Sequence, residues 1–329
     1  MTVASPDKCR ALSDRKGIRD VKNTCSKPNI TVVPESMALS PRQPLNGQRV
    51  QRIPGFERRR SNISHDQEMR MGTLNVGTMT GKGREIVDMM QRRKIEALCV
   101  QETRWKGKKA RELGCGYKLY YSGADETGRN GVGIILSPKL KDNIVEVVRK
   151  NDRVMTLRLI IGDTNVNIIS VYAPETGCEV EYKDKFWQDL DDVWTALPES
   201  DLSIVAGDFN GHVGQANAAI ERVHGGHGEG VLNDDGERLI DFVLAYDLAI
   251  VNTFFKKKDY VTYESGGRET QLDYILYKRN RMKDVKNCKV VKSETAAKQH
   301  HVVVGEFRMK RGRKGKKCTT PKVQWWKLK

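Results

Sequence analysis

From about residue 69 to residue 309, short apolar runs alternate with polar, glycine-bearing turns, and most of the runs have the length of a β-strand. The pattern predicts strands over 71–76, 95–101, 117–122, 132–137, 144–149, 153–161, 164–172, 203–208, 249–254, 272–277, 288–292 and 302–308. Three stretches instead space their apolar residues as a helix does. Residues 85–93 put Ile86, Met89 and Met90 on one face, and residues 182–197 do the same with Phe186, Leu190, Val193, Trp194 and Leu197. Residues 236–246 use Leu239, Ile240, Val243 and Leu244. About a dozen strands with few, spaced helices bury their apolar faces best as an α/β fold, two sheets packed face to face with helices outside. No repeat of 20–50 residues is visible, which argues against a solenoid.

Several of the strands end in acids or amides. LNVG at 74–77, QET at 101–103, GDFN at 207–210 and LDY at 272–274 close or interrupt apolar runs, and so carry Asn75, Glu102, Asp208, Asn210 and Asp273 to strand ends. A carboxylate at the end of a core strand is costly to desolvate unless something positive meets it. Several converging on one rim point to a hard cation held by oxygen ligands, with Glu102 and Asn75 offering the carboxylate and amide oxygens that magnesium favours. Asp208 and Asn210 are two apart and face the same side of an extended chain, where they can position a water nucleophile and donate to a phosphate oxygen. Asp273 is a potential partner for the histidine at His300-His301, fixing its tautomer and favouring its charged form. Tyr172 closes the run NIISVY, and Pro174 stops that strand with a phenol at the rim.

Two other patterns point elsewhere. TGKG at 80–83 lacks the Gly-Lys-Ser/Thr order of a phosphate loop and reads as a turn into the first helix. His212, His224 and His227 flank or fall within the glycine-rich stretch GGHGEG without a recognised ligand spacing, and a metal cluster there is disfavoured.

Charge changes the picture more than composition does. The formal net charge is +16, yet residues 1–68 carry 13 Lys and Arg against 7 Asp and Glu, residues 308–329 carry 10 against none, and the stretch between them is balanced. Residues 1–68, rich in Ser, Pro, Asn, Arg and Gln, are expected to form a disordered basic arm. Residues 69–309 are expected to form the folded domain, and 310–329 a basic tail ending in WWKLK. A neutral body with basic ends suits a polyanion, because the arms can neutralise phosphates and release counterions. Seven scattered cysteines without a CxxC pair argue against a disulfide framework or zinc ribbon. No apolar stretch approaches the ~18 residues of a membrane span, and the first residues lack a signal-peptide core. A soluble intracellular protein is expected.

The order LNVG, QET, SVYAP, GDFN, LDY and a late histidine resembles the endonuclease/exonuclease/phosphatase superfamily, which includes apurinic endonucleases and the DNase I type. Residues 71–309 are more closely similar to the endonuclease domain of RTE-type non-LTR retrotransposons and the related craniofacial development protein 2 family. GTLNVGTMTGKGREIVDMMQRRKIEALCVQETRWKG, GDFNGHVG and VTYESGGRETQLDYIL carry that match. The resemblance implies a DNase I-like four-layer sandwich of two mixed sheets, and hydrolysis of a phosphodiester with Mg²⁺, for which Mn²⁺ can substitute. It implies that Glu102 holds the metal with Asn75 nearby, and that Asp208 and Asn210 orient or activate water. Tyr172 would stabilise the transition state, and His300 would pair with Asp273. Tyr263 would wall the substrate pocket, and Arg104 and Lys106 beside QET would contact DNA. Which of His300 and Asp208 is the base stays open, and His301 is the alternative if the register slips by one.

Two departures from the family pattern remove negative charge near the metal: Gly77 stands where apurinic endonucleases often carry Asp, and Gln299 where Asp usually precedes the histidine. The Gln-His form is usual for the RTE type. No YxDD polymerase motif is present, so at most the nuclease half is expected here. The expectation is a nuclear, Mg²⁺-dependent endonuclease that nicks one DNA strand. Its rivals are another phosphoesterase on this fold and a catalytically weak, chromatin-associated protein that uses the fold for binding.

Overall fold

Alternation along each strand decides which layer each side chain enters, and in the computed structural model this builds four layers. The structure describes residues 67–309 except 126 and 216–219. The expected basic tail, and all of the arm but its last two residues, lie outside that range. The first sheet contains β1 (Gln67–Asn75), β2 (Ala97–Gln101), β3 (Lys108–Gly114), β4 (Tyr117–Ser122), β5 (Val132–Leu136), β14 (Val285–Val291) and β15 (Val302–Met309), in the order β14-β15-β1-β2-β5-β4-β3. The second contains β6 (Ile144–Arg149), β7 (Val154–Ile161), β8 (Thr164–Tyr172), β9 (Leu202–Asp208), β10 (Leu248–Ile250) and β13 (Asp273–Lys278), in the order β10-β13-β9-β8-β7-β6. Both sheets are mixed: β1–β2 and β8–β9 run parallel, and the other pairs antiparallel.

Between the sheets lies one apolar layer, with Met69, Met71, Ala97 and Cys99 from one side and Leu157, Ile168, Ile204 and Ile275 from the other. The intervening residues face outward. Leu74, Leu98 and Val100 pack on α1 (Gly83–Arg93) through Ile86, Met89 and Met90. Ile169, Val205 and Leu276 pack with α2 (Val180–Thr195) and α3 (Asp234–Ala245) through Phe186, Leu190, Leu239 and Val243. α3 is capped by Asn233, whose side chain accepts from the Gly236 N–H. At Gly207 a Cβ would lie 2.0 Å from the Val171 carbonyl oxygen, so only glycine lets β8 and β9 close ahead of Asp208.

The helices lie within two residues of their expected ends, and the turn over 80–83 leads into α1 as read. Three differences stand out. β3, KKARELG, is exposed almost throughout and gives no apolar alternation; it is held as an edge strand by pairing with β4. The short hairpin of β11 (Tyr263–Ser265) and β12 (Arg268–Thr270) was also not anticipated, its strands being three residues each. The strand expected over 249–254 stops at Ile250 and becomes a 3-10 turn over Val251–Phe254. There the Asn252 side chain takes over the backbone pairing of β13, donating to the Asp273 carbonyl at 3.0 Å and accepting from the Ile275 N–H at 2.9 Å. Among the described residues no helix is long and apolar enough to cross a membrane.

Candidate active site

The inward-facing parity that fills the inter-sheet core continues to one rim, where it delivers polar residues instead of apolar ones. On β1 the series Met69, Met71, Thr73 ends at Asn75, and on β9 the series Leu202, Ile204, Ala206 ends at Asp208. β8 ends at Tyr172, level with Asp208 across the parallel pair. β13 runs the opposite way, so its first residue, Asp273, lies directly across from Asp208. β15 is antiparallel to β1, so His300, two residues before it, comes to the same rim. Glu102 follows β2, whose last residue is level with Asn75.

Contacts then cross from one sheet to the other. Asn75 Nδ2 donates to Glu102 Oε1 and to Asp208 Oδ2, both at 3.0 Å. The Tyr172 hydroxyl donates to Glu102 Oε1 at 3.1 Å. His300 Nδ1 is 2.9 Å from Asp273 Oδ2, and its Nε2 is 3.8 Å from Asp208 Oδ2. Asp208 Oδ1 accepts the Asn210 N–H at 3.0 Å, and Asn210 Nδ2 donates to the Ala173 carbonyl at 2.9 Å. Glu102 and Asn210 both take left-handed backbone conformations, with φ of 54° and 51°. Asparagine adopts this conformation readily, whereas for a glutamate it is uncommon.

Two carboxylates directly opposed in an antiparallel pair repel each other. Burial, and then the neighbouring Asp273 charge, push Asp208 up to about 7. Burial works against a charged His300, but the Asp273 charge and hydrogen bond, with Asp208 and Glu102 behind them, carry it up to about 9. Glu102 is also opposed by burial, yet hydrogen bonds from Arg104 and Asn75 hold it below the ordinary glutamate value. Burial and the Glu102 charge keep Tyr172 a neutral phenol. The site therefore has a charged imidazole, a carboxylate titrating near neutrality and an ionised glutamate.

These residues fit a divalent cation. Asp208, Asp273 and His300 offer ligand atoms within 4.8 Å of one another. One oxygen, Asp273 Oδ1, is buried without a hydrogen-bond partner, an acceptor lacking its donor. Asn75 is placed differently from the expectation of a cation ligand: its amide nitrogen bridges two carboxylates, while its Oδ1 accepts the Gly77 N–H at 3.0 Å. His212, His224 and His227 form no such cluster among the described residues. His224 Nε2 lies 3.1 Å from the Gly214 carbonyl, its Nδ1 accepts the Gly226 N–H, and burial lowers it to about 4.

Of the two adjacent histidines, His300 lies at this rim, whereas His301 Nε2 turns to Glu264 at 3.2 Å. Tyr263 stands beside the imidazole, ring centroids 4.8 Å apart. Arg104 pairs with Glu102 Oε2 at 2.5 Å, and Lys106 is exposed on the loop that follows. Both departures have local reasons. Gly77 sits at φ +65°, in a turn that aspartate would strain. Gln299 points along the β11–β12 hairpin, donating to Ser265 Oγ at 2.8 Å and lying 3.4 Å from the Tyr263 hydroxyl. Sequence reasoning missed Arg153, which lies buried behind Tyr172. It opens the strand expected over 153–161, where nothing in the local sequence marks it.

Residues 72–287 match the Endonuclease/Exonuclease/phosphatase family. Craniofacial development protein 2 of Bos taurus is 30% identical over 249 residues, which are 74% of this chain and 42% of that protein, so the chain spans less than half the length of this relative. Among solved structures, the endonuclease domain of TRAS1, a telomere-specific non-LTR retrotransposon, superposes with a TM-score of 0.56 at 14% identity, covering 74% of this chain and all of that one. An AP endonuclease from Archaeoglobus fulgidus gives 0.56 at 20% identity over 73% of this chain and 99% of that one. At these identities the structures establish the shared fold, a DNase I-like α/β sandwich.

Proposed function

This chain belongs to the endonuclease/exonuclease/phosphatase family, and from that premise we propose that it is a Mg²⁺-dependent DNA endonuclease, related to retrotransposon nucleases, that nicks one strand to leave 3′-hydroxyl and 5′-phosphate ends. The observation that carries the reading is the opposed pair Asp208–Asp273 with His300 between them, joined through Asn75 to Glu102. Structural carboxylates are ordinarily neutralised, whereas this group holds more buried negative charge than one imidazole offsets. Glu102 is the residue to which the family resemblance assigns Mg²⁺ or Mn²⁺, which would supply positive charge against the scissile phosphate and the departing oxygen.

The chain's own residues do the rest. Asp208, titrating near neutrality, accepts a proton from the attacking water, and Asn210 shares its rim and fixes its Oδ1. Protonated His300, oriented by Asp273, turns Nε2 to the site and donates to a phosphate oxygen as charge develops. Tyr172 supplies a neutral phenol at the same rim. Tyr263 lines the approach, and Arg104 and Lys106 face the flanking backbone. The charge of +16, concentrated in the two ends of the chain, supports DNA as the polyanion and a nuclear location, with affinity that falls steeply as salt rises.

The test is nicking of supercoiled plasmid with and without Mg²⁺, beside Glu102→Ala and His300→Ala. Metal-dependent relaxation should fall by about 100-fold or more in each variant. Intact DNA binding with no nicking by the wild type in Mg²⁺ or Mn²⁺ would replace the enzyme with a DNA-binding module.

A further inference from the structure

Behind the rim, one buried cation has no role in the chemistry above. Arg153, immediately before β7, is 8% exposed, and no described carboxylate lies within ion-pair distance of it. Its guanidinium instead lies between two aromatic rings, 4.8 Å from the Tyr172 centroid and 5.0 Å from that of Tyr182. Nε donates to the Tyr182 hydroxyl at 3.0 Å, and Nη1 donates to the carbonyls of Tyr172 and Ala173 at 3.0 and 3.2 Å. A guanidinium is expensive to bury, and an apolar side chain could fill the same space. Contacts with Tyr182 and Tyr172 and the nearby Asp152 charge offset that cost, so the case for an arginine here lies in what it holds.

What Arg153 touches supplies the reason. The Tyr172 ring it covers ends in the hydroxyl that donates to Glu102 Oε1. The Ala173 carbonyl it holds also accepts Asn210 Nδ2, and the Ala173 N–H donates to the Asp208 carbonyl at 2.8 Å. Pro174 follows, so this end of β8 has no further strand pairing to fix it. We propose that Arg153 is a positioning residue, which clamps the end of β8 so that the Tyr172 phenol stays on Glu102 and the Asn210 amide stays at the rim. A planar fork sandwiched between two rings can do this, whereas a lysine ammonium cannot both stack and reach two carbonyls and a phenol. The inference rests on the nuclease reading for its kinetic consequence, but not for its geometry.

The test combines turnover with a probe of Tyr172 itself. In the plasmid assay, Arg153→Met should lower kcat by about 100-fold with KM changed little, the scale expected when a reacting group is misplaced by about an ångström. Arg153→Lys should stay close to the Met variant. In a Tyr172→Phe background, where the hydroxyl is already gone, Arg153→Met should cost clearly less, about 10-fold, the remainder coming from the Asn210 amide. An equal loss in both backgrounds would make Arg153 merely structural and overturn the proposal. In parallel, protein carrying 3-fluorotyrosine is followed by ¹⁹F NMR, with the Tyr172 line assigned by its absence in Tyr172→Phe. Arg153→Met should shift or broaden that line, and an unchanged line would overturn the proposal even if the wild type shows no turnover. If Arg153→Met does not fold, Tyr182→Phe removes one partner of the clamp without stranding a charge. It should move the Tyr172 line and lower kcat about 3-fold, and no change in either would equally overturn the clamp.

Discussion

β9 begins just after one buried aspartate and ends on another, and the two are treated in opposite ways. Asp201, 3% exposed, meets Arg158 Nη2 at 2.9 Å and the side-chain amides of Asn165 and Asn167 at 3.1 and 3.4 Å. Asp208, 1% exposed, faces Asp273 directly, has His300 at 3.8 Å, and its carboxylate takes hydrogen bonds from the Asn75 side-chain amide and the Asn210 N–H. The first carboxylate is neutralised at its own end of the sheet and has nothing left to do. The second is under-compensated, and its proton is loosely held near neutral pH. An acid at the end of a buried strand is therefore not by itself a sign of chemistry; the sign is the missing counter-charge.

Substitutions at the two ends should separate accordingly. Asp208→Asn should cut nicking by about 1,000-fold or more while raising the melting temperature at pH 8, because it removes an opposed charge. A lower melting temperature would mean that the pair is not frustrated. Asp201→Asn should do the reverse, costing about 2 kcal/mol by leaving Arg158 unpaired while turnover per folded molecule stays within about twofold. Circular-dichroism melts beside the plasmid assay would check both.

The pH dependence of metal-free protein sharpens the contrast. The folded value of His300, about 9, lies above the ordinary 6.5, so its stabilising contribution is complete below about 6.5 and is lost as pH rises through about 9. Asp208, about 7 in the fold against an ordinary 3.8, is an acid raised by folding. The fold therefore gains stability as pH falls from about 7 toward 4. Melting temperatures in chelator should show both slopes, with His300→Asn flattening the alkaline limb and Asp208→Asn the acid one. The smallest effect is expected at Gln299, whose alanine variant frees the hairpin beside Tyr263 and should raise KM a few-fold, by about 1 kcal/mol of lost hydrogen bonding, more than it lowers kcat.

Much of this was legible because period-two alternation runs unbroken to the rim. Once β1, β8, β9 and β13 are read as buried strands, the parity of Asn75, Tyr172, Asp208 and Asp273 follows, and the family pattern supplies Glu102 and His300. What was hidden depends on partners distant in sequence. Asp201 and Asp208 look alike until Arg158 is known to reach only the first. Asn75 reads as an oxygen donor to a cation until its nitrogen is seen between two carboxylates. Gln299 reads as a lost acid until it is seen turned toward Ser265. Arg153 is silent in sequence because nothing local marks an arginine that will be buried between tyrosines 19 and 29 positions further on. β3 escaped because an edge strand exposed on nearly every residue carries no alternation to read.

The three contacts Asn75–Asp208, Tyr172–Glu102 and His300–Asp273 each join a residue of one sheet to a residue of the other. The rim is therefore assembled like a vernier, with half its marks ruled on each scale, and it reads true only when the two scales are aligned. A core substitution that lets the sheets slide by a fraction of an ångström, at Ile204 or Leu157 for instance, would leave both sheets intact and still put the marks out of step. Function in this molecule should fail at smaller displacements than folding does, and the distance between those two thresholds measures how stiffly the apolar layer holds its two faces together.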